Sequence, residues 1–439
     1  MIPPAVSGGK MLNEDRFMSE SSVGPGPSGD VHWKRYLALI WLSQCLFQLS
    51  FSFGIPFVPF FMQEIGVSKT ELPFWVALFG GTPSLAILVF SPFWGMMANR
   101  FGCKKMLLRC YIGGVVVLCG IALCSSPQWM IVFRLLQGIV CGSVPVALTL
   151  ASSLVPKDRV GFALGVVNSS TFSGLLFGSF FGGIAADIFG YRMTFLLSGI
   201  PTALSVLIMI FGVKEYFTPP PKSRTVGNPL LAQWKKMSLT HWQFTLLFPI
   251  LLMVSMTQFG RMFDHSFLAL FVQEIHGGIK GAATWTGVIQ ALAGTAGVLA
   301  GLAAGYMSDR FDPGKTAMTM AGISVLLMVS VAFTPCMGYL VLTRTLANFA
   351  IDCIEPSLQV WLCRKVSLAA RNIAFAWAQS IRSIGGFVSP LAAGMVVRYF
   401  GLRPLFIGSA CIFLCVMLLS ALLYRRERSH SLHHRRQSC

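Results

Sequence analysis

The chain has 439 residues; 54% are apolar and 11% charged, and 34 Lys and Arg against 16 Asp and Glu give a formal net charge of +18. A soluble globular domain carries about a quarter charged residues, so the composition excludes an ordinary soluble fold and points to a chain largely solvated by lipid. The basic excess alone would suit a nucleic-acid binder, but membrane topology accounts for it below and leaves that partner with nothing to explain.

Residues 1–33 are rich in Gly, Pro and Ser, carry Glu14, Asp15, Glu20 and Asp30, and lack the apolar core of a signal peptide. They are expected to be a disordered tail. Apolar runs of about 20 residues, the length that crosses a bilayer as helix, then follow twelve times. They lie near 36–60, 74–97, 106–125, 128–151, 161–186, 192–213, 244–272, 284–307, 316–335, 338–362, 373–397 and 404–424. The first, fifth and seventh are long enough to be tilted. Between the sixth and seventh, residues 214–243 hold Pro219, Pro220 and Pro221 with Lys222, Arg224, Lys235 and Lys236, the composition of a flexible linker with a short interfacial helix near Trp234. Residues 425–439, with Arg425, Arg426, Arg428, Arg435 and Arg436, form a basic tail suited to anionic lipid, and His433 and His434 read as part of it.

With the N-terminus in the cytoplasm, five Lys and Arg fall in outside loops (Lys69, Arg192, Lys280, Arg398 and Arg403) and four in the membrane, leaving 25 of the 34 inside. This is the positive-inside bias, and it places both termini and the linker in the cytoplasm. Twelve cysteines show no Cys-x-x-Cys and no metal-ligand spacing. They are expected to be small core residues, and neither metal nor cofactor is called for.

The chain also repeats. Gln63, Glu64 and Ile65 recur 210 residues on as Gln273, Glu274 and Ile275; at the same shift Trp75 matches Trp285, Gly95 Gly305, Arg100 Arg310 and Arg134 Arg344. One residue of slippage brings Phe189, Gly190 and Arg192 onto Phe400, Gly401 and Arg403. Duplicated halves in an apolar chain are the signature of a transporter whose two bundles rock around a site between them. The reading is an all-α membrane protein of twelve transmembrane helices in two pseudo-symmetric six-helix bundles, 34–213 and 244–424.

A charge at the bilayer centre costs roughly 2.5–3.5 kcal/mol on insertion scales, so such residues are functional suspects. Here they are Arg134 on the fourth run, Arg261, Asp264 and the titratable His265 on the seventh, Arg344, Asp352 and Glu355 on the tenth, and Arg382 on the eleventh. At about 100° per residue, Arg344, Asn348, Asp352, Glu355 and Gln359 make one polar stripe, and Gln258, Arg261, Asp264 and His265 make another. Antiparallel helices with a rise of about 1.5 Å per residue would level Asp264 with Arg344 and Arg261 with Asp352, and leave Arg382 as the cation near Glu355. Glu355, then Asp352, then Asp264 are the candidate proton carriers, with His265 able to join a relay. Arg134, Gln137, Gln258, Arg261, Arg344, Asn348, Gln359 and Arg382 would line a substrate cavity. The alternative is that these charges only neutralise one another and lock the second half.

Two loop motifs carry a family resemblance. Gly95, Asn99, Arg100, Gly102, Lys104 and Lys105 follow the second run, and Gly305, Asp309, Arg310, Gly314 and Lys315 follow the eighth. They resemble the loop signature G-x-x-x-D-R-x-G-R-[KR] of the major facilitator superfamily. They are expected to form the cytoplasmic gate, with a Gly turn, an acid that caps a helix and cations holding the face; Asn99 stands where the family has the acid. Arg134, Gln137 and Gly138 are similar to the R-x-x-Q-G motif of proton-coupled members. Gly165, Gly174, Gly178, Gly182 and Gly183 match an antiporter pattern in which Ser179 replaces the family's proline, and are read as a helix-packing row.

The resemblance to the drug:proton antiporter branch of bacterial multidrug exporters implies a monomer in the bacterial inner membrane that exchanges a small amphipathic substrate for protons. A second reading is proton-linked movement of one endogenous anion, such as a siderophore or carboxylate, because four membrane Arg against three acids leave a charge of +1. A third, a receptor without transport, lacks an effector domain, and no P-loop or catalytic nucleophile arrangement indicates an enzyme.

Overall fold

The computed structural model describes residues 32–140, 142–156, 159–215, 241–365 and 371–437; the expected disordered tail and most of the linker lie outside them. Twelve helical segments follow in order. α1 is His32–Gly54, continued through a 3-10 turn at Ile55–Phe57 into Val58–Glu64; α2 is Leu72–Phe101 and α3 Cys103–Leu123. α4 is Pro127–Val140 followed by Ser143–Leu154, α5 is Val160–Phe189 and α6 Tyr191–Gly212. α7 is His241–His265 followed by Leu268–His276, and α8 to α12 are Ala282–Arg310, Pro313–Ala332, Met337–Lys365, Arg371–Phe400 and Arg403–Gln437. The basic segment after residue 424 is therefore a helical continuation of α12.

Ten of these segments are long and apolar enough to cross a membrane. The other two, α7 and α10, carry Arg261 and Asp264, and Arg344, Asp352 and Glu355, whose charges lower the hydropathy that marks the rest. Large apolar side chains such as Phe177, Phe181, Phe211 and Leu326 face outward, as a lipid-contacting belt requires. Of the cysteines, Cys336, Cys411 and Cys415 are exposed rather than small core residues.

The duplication is visible in the backbone. α1 breaks at Phe57 (φ −98°, ψ 3°) and α7 at its repeat equivalent Phe267 (φ −106°, ψ 0°). Pro56 and Pro59 flank the first break, and proline cannot donate to a helix ladder. No proline flanks the second. Both phenylalanines are completely buried, so the bend belongs to the packed position, and the prolines of the first half reinforce it. The turns at Gly190 (φ 81°) and Gly401 (φ 87°) are likewise equivalent; both lie in the left-handed region that a side chain disfavours.

Within the first bundle α1 packs on α5 and α6, and α3 on α6; in the second, α9 packs on α10 and α12, and α7 on α11 and α12. The bundles meet along two seams, α5 with α8 and α2 with α11. On the first seam a Cβ at Gly183 would lie 2.7 Å from Ala283 O, and one at Gly297 2.8 Å from the Phe172 ring. Further toward the side carrying the chain termini, Gly165 and Gly301 meet nothing within 4 Å. On the second seam Gly394 sits on Pro73 and Ala77, and Gly81 on Phe387. The bundles therefore close on the far side and part toward the tail side.

The loop motifs meet expectation only in part, since the expected Gly turn falls at the later glycine of the first motif. Gly95 and Gly305 make no turn: each lies inside a helix that runs on to Phe101 or Arg310. The turn of the first half is at Gly102, with φ 90°. Positions 99 and 309 occupy the last turn of their helices, where an acid cannot cap a helix start. The caps come from elsewhere. Asp312 accepts from Gly314 N at 2.8 Å, and Glu215, beyond α6, accepts from Cys103 N and Lys104 N at 2.8 Å each. The side chains of Asn99, Arg100 and Asp309 are outside the described ones. Arg310 is exposed, with its guanidinium 4.4 Å from the Tyr306 ring centre.

Candidate functional site

The polar interior is divided unequally between the bundles. In the first it holds a neutral network and one cation: Gln44 Nε2 donates to Ser143 Oγ at 2.9 Å, and the Tyr111 hydroxyl donates to Gln44 Oε1 at 3.2 Å, both fully buried. Its intramembrane cation, Arg134, donates through Nε to Phe79 O at 3.2 Å and through a terminal nitrogen to Gln137 Oε1, and lies 4.6 Å from the Phe79 ring centre. Arg344 is its repeat partner. The residue that neutralises Arg344 is Asp264, whose equivalent in the first half is Gly54, so the two halves share the arginine but not the acid.

In the second bundle all three sequence-expected pairs form: Arg344 with Asp264, Arg261 with Asp352, and Arg382 with Glu355. α7, α10 and α11 supply them because the two polar stripes face one another across antiparallel helices. Their hydration differs. Arg344 and Asp264 are 3% and 0% exposed, Arg261 and Asp352 29% and 20%, and Arg382 and Glu355 30% and 13%. The first pair is dry, and Ser409 Oγ of α12 supplies a further bond to Asp264 Oδ1 at 3.4 Å. A charge pair so placed is tolerated only while both members stay.

The other two pairs border the opening between the bundles. A Cβ at Gly297 of α8 would lie 3.1 Å from Asp352 Oδ2 and in contact with Phe172 of α5, so this glycine makes room for the carboxylate beside the first bundle. Glu355 is held by more than its cation: Gln359 Nε2 donates to it at 3.3 Å, and Arg382 Nε donates to Gln258 Oε1 at 3.2 Å. Two neutral amides thus stand ready to hold either member of the pair if the other changes charge. His265 takes a bond from Gln290 Nε2 of α8 at 3.3 Å, and among the described residues no carboxylate lies at hydrogen-bond distance from its ring. Asn348 is half-buried on the α10 stripe.

The glycine row faces two ways. Gly174, Gly178 and Gly182 lie against the α1 backbone; a Cβ at Gly174 would be 2.7 Å from Cys45 O, and one at Gly182 2.7 Å from Phe53 Cα. Gly183 packs instead on α8, and Gly165 is in open space. Gln290, Gly297 and Ser409 were not singled out from the sequence. Gln290, a buried amide in the eighth run, was the one legible signal among them.

A comparison with protein families matches the model for the Major Facilitator Superfamily over residues 40–337 and 258–438. Multidrug resistance protein MdtG of Escherichia fergusonii is 29% identical over 408 residues, covering 92% of this chain and 98% of that protein. MdtG of Citrobacter koseri is 30% identical over 400 residues, covering 91% and 97%. Among solved structures, a bacterial homolog of the human lysosomal transporter Spinster, inward-facing and unoccupied, superposes with a TM-score of 0.72 at 16% identity, covering 90% of this chain and 98% of that one. The human organic anion transporter MFSD10 gives 0.63 at 16% identity, covering 88% and 99%.

Proposed function

The chain belongs to the Major Facilitator Superfamily, and from that membership we propose that it exports small amphipathic compounds, drugs among them, across the bacterial inner membrane in exchange for protons. It moves its substrate and does not transform it. The tail side is the cytoplasm, residues 34–213 and 244–424 are the two rocking units joined by the linker 214–243, and one chain suffices. The relatives named for multidrug resistance support the substrate class.

The observation that carries proton coupling is the pair of Arg382 and Glu355, partly hydrated on the open side and flanked by Gln258 and Gln359. A carboxylate ionises when a cation neutralises it and holds its proton when it is desolvated alone. With the inside open, Glu355 stands beside Arg382 at the cytoplasmic opening, and in this reading its proton leaves to the cytoplasm as substrate enters. Closing the inside and opening the outside changes the hydration and partners of both groups, and the carboxyl reloads as substrate leaves. Asp352 with Arg261 is the second candidate. Asp264 with Arg344 is too dry for exchange and serves as ballast for the bundle. The anion reading rests on the surplus cation Arg134, whose contacts with Phe79 O, Gln137 and the Phe79 ring are all to neutral groups.

Proteoliposomes with an imposed pH gradient test the proposal. Dye or drug should move uphill against an inward proton flow, and a flux indifferent to the gradient would reject coupling.

A further inference from the structure

The far-side closure contains an unequal device. Asp187, in the last turn of α5, reaches across the seam to the start of α8: its carboxylate accepts from Gly281 N at 3.2 Å, Thr284 N at 2.8 Å and Thr284 Oγ at 2.5 Å. The N-cap residue of α8 is Gly281, in the left-handed region with φ 79° and no side chain to cap with. The helix start therefore takes its cap from the other bundle. One turn earlier on α5, Gly183 brings the backbone against Ala283, so the cap sits at the end of a closely packed contact.

Among the described residues the second seam shows no such cap. The repeat equivalent of Asp187 is Arg398, at the shift of 211 that aligns Phe189 with Phe400, and the equivalents of Gly281 and Thr284 are Glu71 and Phe74. A cation thus stands at the position equivalent to the acid, and a cation is disfavoured at a helix N-terminus. There the bundles leave a cavity of about 820 Å³, lined among others by Lys69, Pro73, Gln273, Arg398 and Tyr399.

We propose that Asp187 is the latch of the far-side gate, a positioning residue that holds α5 to the first turn of α8 and biases the carrier toward its far-closed conformation. The bond set can exist only while the bundles touch, so opening strips α8 of its cap and adds a cost that the second seam does not share. The inference rests on the family fold and, for calling this gate external, on the orientation proposed above. Its test needs neither substrate nor protons.

Spin labels at Ser125 and Cys336, exposed loop positions on opposite bundles, would be introduced into the full chain with the other cysteines replaced, and their distance distribution measured by double electron–electron resonance. Asp187→Ala should raise the ratio of far-open to far-closed molecules about fivefold, the factor equivalent to about 1 kcal/mol of lost capping. Asp187→Asn keeps a capping oxygen and Thr284→Ala removes one bond of the three, so both should shift less, in the same direction. A folded Asp187→Ala with an unchanged distribution and a lower unfolding temperature would reduce the residue to a local cap and overturn the latch. If Asp187→Ala does not accumulate, unchanged distributions in both milder variants would overturn it equally.

Discussion

Gln63 and Gln273 are copies of one residue, and they bond to each other: Gln63 Nε2 donates to Gln273 Oε1 at 3.0 Å, and Gln273 Nε2 returns a bond to Gln63 Oε1 at 3.3 Å. Equivalent residues meet reciprocally only on the axis that relates them, so the pseudo-two-fold axis passes between these amides on the far side. Each amide is the tip of its half's broken first helix. Cysteines at both positions, joined by a short bis-maleimide, should therefore fix the far side closed and stop transport, while either cysteine alone with the same reagent leaves most of it. Transport that persists after complete joining, read by mass spectrometry, would show that the amides do not part during the cycle.

Glu355→Gln should separate coupling from binding. The amide keeps the shape and the bond to Arg382 but cannot release a proton, so uphill transport should fall to the level of empty liposomes while downhill exchange survives. Asp352→Asn is the internal control. If it alone uncouples protons from substrate and Glu355→Gln pumps normally, the carrier is Asp352, whose carboxylate is the more exposed of the two.

The three ion pairs were legible because charge is rare in membrane helices and a helical stripe fixes depth: Asp264, Asp352 and Glu355 each met the arginine that counting along antiparallel helices assigned. The glycine row was legible as spacing, but spacing could not tell that Gly165 faces open space while Gly183 serves a different seam from Gly174, Gly178 and Gly182. The loop motifs were legible in part: the expected Gly turn is made by Gly102 of the first motif, while Gly95 lies within the helix. A glycine preceding a turn by seven residues, as Gly95 precedes Gly102, fits inside the helix as well as at its end. Asp187 and Glu215 stayed hidden because each caps a helix distant in sequence, and nothing local marks an acid whose donors lie 94 to 112 residues away.

The glycine contacts allow a graded test with the smallest possible change. At Gly178 and Gly182 the nearest neighbour of an added methyl is a backbone oxygen of α1, Leu49 O for the first and Phe53 O for the second, and backbone cannot rotate away as a side chain can. Gly178→Ala and Gly182→Ala should each destabilise the folded carrier by about 1–3 kcal/mol, the usual cost of overpacking, and lower transport more than protein level. Gly165→Ala should leave both unchanged. Thermal unfolding in detergent beside transport per folded molecule decides it, and equal effects at Gly165 and Gly178 would refute the contact as the cause.

Asp264 and Arg344 should behave as structural partners, in contrast to Glu355 and Arg382. Both are dry, and removing one member of a buried pair strands the other at about 3–5 kcal/mol, whereas replacing both by apolar groups of similar size is often neutral. Asp264→Leu alone should therefore deplete folded protein, and so should Arg344→Met alone. Asp264→Leu combined with Arg344→Met should recover much of it, because no charge is left without a partner. Their non-additivity, measured as a double-mutant cycle on unfolding free energy, isolates the pair from its neighbours Ser409 and Met328. If the double variant folds and still drives uphill transport, Asp264 carries no proton and coupling is left to the two hydrated acids of α10. If it folds but transports only downhill, the driest of the three paired carboxylates is the one that matters, and the ranking by hydration is reversed.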